Sequence, residues 1–343
     1  MNTPITQMRQ EVLEIPSAVE RLLSRGTSAI ADIARAAAAT DPRFAVTVAR
    51  GSSDHACTFL KYAFELELGL PVASIGPSVA SIYGAKLNLA QSVSLSVSQS
   101  GRSPDIVAMT QSATQSGSFT VAITNDATSP LSEAASHTID IHAGPERSVA
   151  ATKTFVTSAV AGLILLAEWK GDDVLRAALK ALPEQLSRAA ELDWPELRGV
   201  IGQASSLFTL GRGPAWAISN EAALKFKETC QIHAESYSSA EVLHGPVSIV
   251  GTDFPILCFA SADAAETSVV DVADQIAAKG ARVFVTSKRA AAAHHLPHVR
   301  TDHGLTDPLA LIVSFYAMIE KVAGERGVDP DAPRHLKKVT ETV

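Results

Sequence analysis

Short apolar runs alternate with helical periodicity along most of this chain. Residues 8–23 carry Val12, Ile15, Val19 and Leu22 at helical spacing. Pro16 interrupts them, which predicts a bent N-terminal helical arm. Residues 44–48 then read as a compact strand ending at Arg50-Gly51-Ser52-Ser53, followed by a helix over about 54–68 and a strand over 72–75. In residues 92–97, Val93, Leu95 and Val97 alternate with serines, so a further strand is expected there. Residues 119–124 and 138–142 predict two more strands, and a long apolar helix is expected over 148–170. Strands separated by helices imply parallel pairing through right-handed crossovers, hence a doubly wound α/β domain.

A second copy follows a charged helical connector over 172–197, whose Pro183 and Pro195 suit segment boundaries. Arg50-Gly51 recurs as Arg212-Gly213, 162 positions on, and Thr124 recurs as Thr286 at the same offset. Ser98 recurs as Ser261, one position further. Each half has the order strand, glycine turn, helix, strand, and such sheets bind ligands beyond the carboxyl ends of their strands. The second-half turn is Ser261-Ala262-Asp263, where an acidic side chain disfavours an anion.

The stretch Ser98-Gln99-Ser100-Gly101-Arg102-Ser103-Pro104-Asp105 ends the serine-rich strand in a glycine turn and opens a helix at Pro104. Free amides at a helix start, with the hydroxyls of Ser98, Ser100 and Ser103, make a phosphate cradle without lysine. A turn that merely caps its helix is the plain alternative. After Gly211-Arg212-Gly213, a helix over 214–230 places Glu221, Lys225 and Glu228 at i, i+4 and i+7, on one face. A solvated face with two ordinary ion pairs would show the same spacing. His233, Glu235 and His244 lie close in sequence but match no strong metal-ligand spacing. His294, His295, His298 and His303 read as loop and edge residues, and the lysines of the tail as solvated.

Composition narrows the classes. The 343 residues are 46% hydrophobic, ample for buried cores in two domains, and a soluble globular protein is expected. A formal net charge of −7 makes nucleic acid an unsuitable partner. Cys57, Cys230 and Cys258 are odd in number and far apart, so no disulfide framework or structural zinc is implied and a reducing cytosol fits best. No signal peptide or bilayer-spanning run is read, and no metal or organic cofactor is expected.

Residues 8–16, 50–53, 98–103, 144–153, 210–213, 221–228, 232–237, 244–246 and 333–340 together resemble the double sugar-isomerase-domain (double SIS) family. They look like the isomerase half of glutamine–fructose-6-phosphate aminotransferase and like stand-alone glucosamine-6-phosphate deaminases. The resemblance implies two tandem SIS domains, each a flavodoxin-like αβα sandwich. Its expected division is an arm over 1–24, domains over 25–190 and 191–328, and a tail over 329–343 that closes the site. It implies that Ser98, Gln99, Ser100 and Ser103 hold a sugar phosphate while Ser53 and the backbone at Val149 contact the sugar. Glu228 would move a proton between carbons 1 and 2 beside Lys225. His244 would open the sugar ring in the partner subunit of a homodimer, and Lys338 would form an imine with a ketose.

The residue types suit those roles. A proton shift between adjacent carbons needs a carboxylate base, ring opening suits imidazole, and an imine needs an amine. Arg102, Ala151, Leu243 and Lys337 stand where the synthases commonly have an acidic residue, serine, lysine and alanine. Residues 101–105 look more like the deaminases. No glutaminase segment precedes the isomerase half, so ammonia production from glutamine is not expected. The expected activity is therefore deamination of glucosamine 6-phosphate to fructose 6-phosphate and ammonia. The alternatives are an isomerising aminotransferase-type domain, an isomerase or deglycase on a related sugar phosphate, and a non-catalytic phosphosugar sensor.

Overall fold

The structure is a computed structural model describing residues 5–338; Val339 and Thr340 of the tail motif, with the rest of 1–4 and 339–343, lie outside the described residues. The chain opens with α1 (Gln7–Leu13) and α2 (Ile15–Ala39). The break falls at Glu14, and Pro16 sits at the start of α2, where its missing N–H costs no hydrogen bond. Helix α2 runs well past residue 24 because Ile30, Ile33, Ala34 and Ala37 continue its buried stripe.

Next come β1 (Phe44–Val48), α3 (Ser52–Leu68), β2 (Val72–Ser74), the short α4 (Ser78–Ser81), β3 (Ser92–Val97) and α5 (Pro104–Gln115). Then follow β4 (Phe119–Thr124), the short α6 (Pro130–Ala134), β5 (His137–Asp140) and α7 (Lys153–Lys170). The strands form one parallel sheet in the order β2-β1-β3-β4-β5, with Leu95 between Thr47 and Val121. Every residue of β3 is buried, serines included, because helices cover both faces of a central parallel strand. Ser96 Oγ accepts from Thr110 Oγ1 of α5 at 2.7 Å, which satisfies a polar group inside the core. Helix α7 is apolar nearly all round and packs on α2 and α3.

Helices α8 (Asp173–Ala190) and α9 (Pro195–Ile201) lead to β6 (Ser206–Gly211), α10 (Pro214–Cys230) and β7 (His233–Ser238). Two 3-10 turns, Glu241–His244 and Pro246–Ile249, precede β8 (Pro255–Cys258), α11 (Glu266–Ala277), β9 (Arg282–Val285), β10 (His294–His295) and α12 (Asp307–Glu325). This second sheet is also parallel, in the order β10-β9-β8-β6-β7. Strand for strand it repeats the first, with β6 in the place of β1 and beginning 162 positions later. Pro195 opens α9 as a boundary, whereas Pro183 lies inside α8. Strand β7, polar and half-exposed at a sheet edge, carries no apolar alternation to betray it.

The described chain divides into two units. The first comprises residues 15–146, 153–180 and 337–338; the second comprises 5–14, 147–152 and 181–336. Among the described residues, no helix is long and apolar enough to cross a membrane.

Candidate functional site

In the first unit, Gly101 has φ +62°, and a side chain there would collide with Ser129 Oγ, so this turn demands glycine. The Gly101 amide donates to Ser98 Oγ at 3.2 Å and the Arg102 amide to Ser100 Oγ at 3.3 Å. Ser103 is the N-cap of α5 in extended geometry, yet its hydroxyl makes no capping bond. Beneath the turn, Arg50 Nε and Nη2 donate to Asp105 Oδ2 at 3.0 and 2.9 Å. Asp105 is wholly buried, so this pair locks the loop after β1 to the first turn of α5. Ser53 lies in the first turn of α3, behind Gly51 at φ +56°.

Ser53, Ser98, Gln99, Ser100 and Ser103 therefore share the carboxyl ends of β1 and β3. In the order 2-1-3-4-5 these neighbouring strands flank the topological switch point. Two helix starts and four hydroxyls there suit an anion. Arg102 is held aside by Asp126 at 3.0 Å. Hydrogen bonds from Thr128, then from Arg102, hold the Asp126 carboxyl below its usual range.

The same unit contains Lys338, which the sequence reading places in the active machinery. Its Nζ lies 2.8 Å from Glu146 Oε2, and the Thr154 amide and hydroxyl donate to the same carboxylate at 3.0 and 2.7 Å. Burial pushes the Glu146 carboxyl up, but the Lys338 charge and these hydrogen bonds outweigh it and hold the group below its usual range. Glu146 escaped the sequence reading as a functional candidate, although it stands in the Gly144-Pro145-Glu146 motif.

In the second unit, α10 starts tightly at Gly213, with φ +59°, and buries Glu221 and Lys225 completely. Lys225 Nζ lies 3.2 Å from Glu221 Oε1 and 2.5 Å from Glu228 Oε2, and Tyr316 of α12 donates to Glu221 at 3.1 Å. Burial alone would push the Lys225 ammonium down; the charges of Glu221 and then Glu228 overcome it and raise it to about 12. A solvated ion-pair face is thereby ruled out. Glu228 alone of the three keeps exposed surface, at 21% of its side chain.

Val149 belongs to this unit too, half-buried in an irregular stretch before α7. His244 ends a 3-10 turn and is exposed. His233 Nδ1 lies 3.2 Å from Ser206 Oγ, and Tyr237 donates to Glu235 at 2.7 Å. No group of three or more His, Cys, Asp or Glu able to hold a metal occurs among the described residues.

The second sheet has no counterpart of the serine cradle. At the ends of β8 and β9, Arg300 donates to Ala260 O at 2.9 Å, Thr286 O at 3.0 Å, Asp307 Oδ2 at 2.6 Å and Glu266 Oε1 at 2.8 Å. The chain's own cation fills that place, between two carboxylates.

The SIS domain family matches residues 40–167 and 201–300. The isomerizing glutamine–fructose-6-phosphate aminotransferase of Methanothermobacter thermautotrophicus is 31% identical over 339 residues, 96% of this chain and 56% of that protein. The Halobacterium salinarum protein of the same name is 30% identical over 305 residues, 85% of this chain and 50% of its own length. The chain thus spans about half the length of the curated relatives it matches. A crystal structure from Silicibacter pomeroyi DSS-3, described as a phosphosugar isomerase, is 65% identical with a TM-score of 0.93, covering 95% of this chain and 100% of that one. The C-terminal domain of glucosamine-fructose-6-phosphate aminotransferase from Francisella tularensis shares the fold at a TM-score of 0.85 and 23% identity, covering 97% and 99%.

Proposed function

The chain belongs to the SIS domain family, and on that premise we propose that it interconverts the aldose and ketose forms of a phosphorylated sugar, with fructose 6-phosphate as the ketose. One observation carries the reading: a fully buried lysine bridges two glutamates, and only Glu228 retains exposed surface. A carboxylate fixed by a buried ammonium is held in one orientation, as a base that takes and returns a proton requires. The names of the relatives, which carry both fructose-6-phosphate and isomerizing, support the same chemistry.

In this mechanism Ser98, Gln99, Ser100 and Ser103 bind the phosphate with the first amides of α5. Ser53 and the Val149 backbone hold the sugar. His244 of a second copy of the chain opens the ring by moving a proton between the ring oxygen and the anomeric hydroxyl. Glu228 then removes the hydrogen from carbon 2 and delivers it to carbon 1, turning the aldose into the ketose. Lys225 offsets the negative charge that develops between these steps. Lys338 supplies an amine that condenses with the ketose carbonyl and releases water. From the amino sugar, the same proton shift gives an imine that water cleaves to ammonia and fructose 6-phosphate, the deamination expected from sequence. The named relatives support the isomerising step more than the release of ammonia.

The test is exchange in deuterated water. Fructose 6-phosphate incubated with the protein should gain deuterium at carbon 1 and yield aldose carrying deuterium at carbon 2, and glucosamine 6-phosphate should be run in parallel with an ammonia assay. No exchange and no product from either sugar sinks the reading; stoichiometric ammonia turns it into the deaminase.

A further inference from the structure

Residues 147–149 lie in neither helix nor strand, so their amides have no ladder to join. The Arg147 and Ser148 amides donate instead to one carboxylate, Glu11 Oε1, the second at 3.2 Å. Glu11 is only 5% exposed and projects from α1. Ser148 is held a second time through its side chain, whose Oγ donates to Asp331 Oδ1 at 3.1 Å. Asp331 also accepts the first amides of α1, Gln7 at 2.6 Å and Met8 at 2.8 Å. Two acids, one from near each end of the chain, thus converge on Arg147 and Ser148, the two residues of irregular chain that precede Val149.

Anchoring of α1 does not account for this convergence. The helix is already secured by its buried Met8 and Val12, by Thr6 donating to Glu320 at 2.8 Å and by Arg9 donating to Ala190 O at 3.1 Å. We propose that Glu11 and Asp331 are positioning residues that set the 147–149 backbone so that Val149 meets the sugar. This rests on the reading above, in which the Val149 backbone contacts the substrate. Neither acid touches substrate itself. Charge-assisted bonds from a buried carboxylate hold an amide pair more stiffly than water does, which prepares the segment before the ligand arrives.

The experiment compares wild type with Glu11→Ala, Glu11→Gln, Asp331→Ala and Ser148→Ala, each as the full chain. KM and kcat for the hexose phosphate are measured beside inhibition by inorganic phosphate. In Glu11→Ala and Asp331→Ala, loss of a charge-assisted contact should raise KM about tenfold, with kcat held within about threefold and phosphate inhibition within about twofold. Glu11→Gln, which keeps a carbonyl acceptor, should recover most of the loss. Ser148→Ala removes only a hydroxyl and decides the matter should the acid variants not fold; its KM should rise about threefold. Unchanged KM throughout, or equal losses for hexose phosphate and inorganic phosphate, overturns the inference alone. A wild-type chain that binds inorganic phosphate but no hexose phosphate overturns the functional reading and this inference with it.

Discussion

Lys338 Nζ sits 2.8 Å from Glu146 Oε2, joining the last described residue to a carboxylate 192 positions earlier. The lysine is 23% exposed and its partner wholly buried, so this end of the tail is not the solvated cation that a terminal Lys pair suggests. To condense with a ketose, the amine must exchange this carboxylate for the substrate. Borohydride added to protein and fructose 6-phosphate should fix a hexose phosphate on Lys338, and Lys338→Arg should abolish the adduct. Trapping that persists in Lys338→Arg would assign the imine elsewhere.

The same pair sets a pH dependence with a definite sign. The Glu146 carboxyl lies below its ordinary 4.5 in the folded chain, so its stabilising contribution is present above that pH and is lost as pH falls through the lowered value. Melting temperatures of wild type and Glu146→Gln should therefore converge as the pH falls below the ordinary 4.5, with wild type higher above it. A gap that stays constant on acidification would contradict the assignment.

Replacing Glu228 by Gln keeps a side chain of the same shape beside Lys225 but removes the base. Turnover should fall by at least about a hundredfold, while affinity for the phosphosugar changes by about threefold or less. Substantial proton exchange in this variant would exclude Glu228 as the proton carrier.

The turn after β3 answers to two substitutions of different kinds. Gly101→Ala forces a side chain into Ser129 at φ +62°, and should cost about 1–3 kcal/mol of stability along with phosphosugar affinity. Ser100→Ala, with no such clash, should weaken phosphorylated sugars selectively. Equal weakening of an unphosphorylated sugar would remove the cradle assignment.

His244 is assigned to the site of a second copy of the chain. Mixed dimers of His244→Asn and Glu228→Gln should then regain part of the activity that each lacks alone. Verified heterodimers that stay inactive would place His244 outside the reaction.

Periodicity and turn chemistry were enough to find β1, β4 and α10 at their observed bounds, and the 162-position offset disclosed the duplicated sheet. They located the glycine turn at 98–103 and put Glu221, Lys225 and Glu228 on one face, because these features depend on residues a few positions apart. Edge strand β7 stayed hidden, since half-exposed polar residues have no alternation to show. The burial of Lys225, the lock of Arg50 on Asp105, the clamp of Glu11 on Arg147 and the pairing of Lys338 with Glu146 were decided only in three dimensions. The partners in the last three lie far apart in the chain. Although Lys225 has its glutamates within one helix, its burial, like those pairings, follows from how the helices and loops pack around each sheet, which no local pattern encodes.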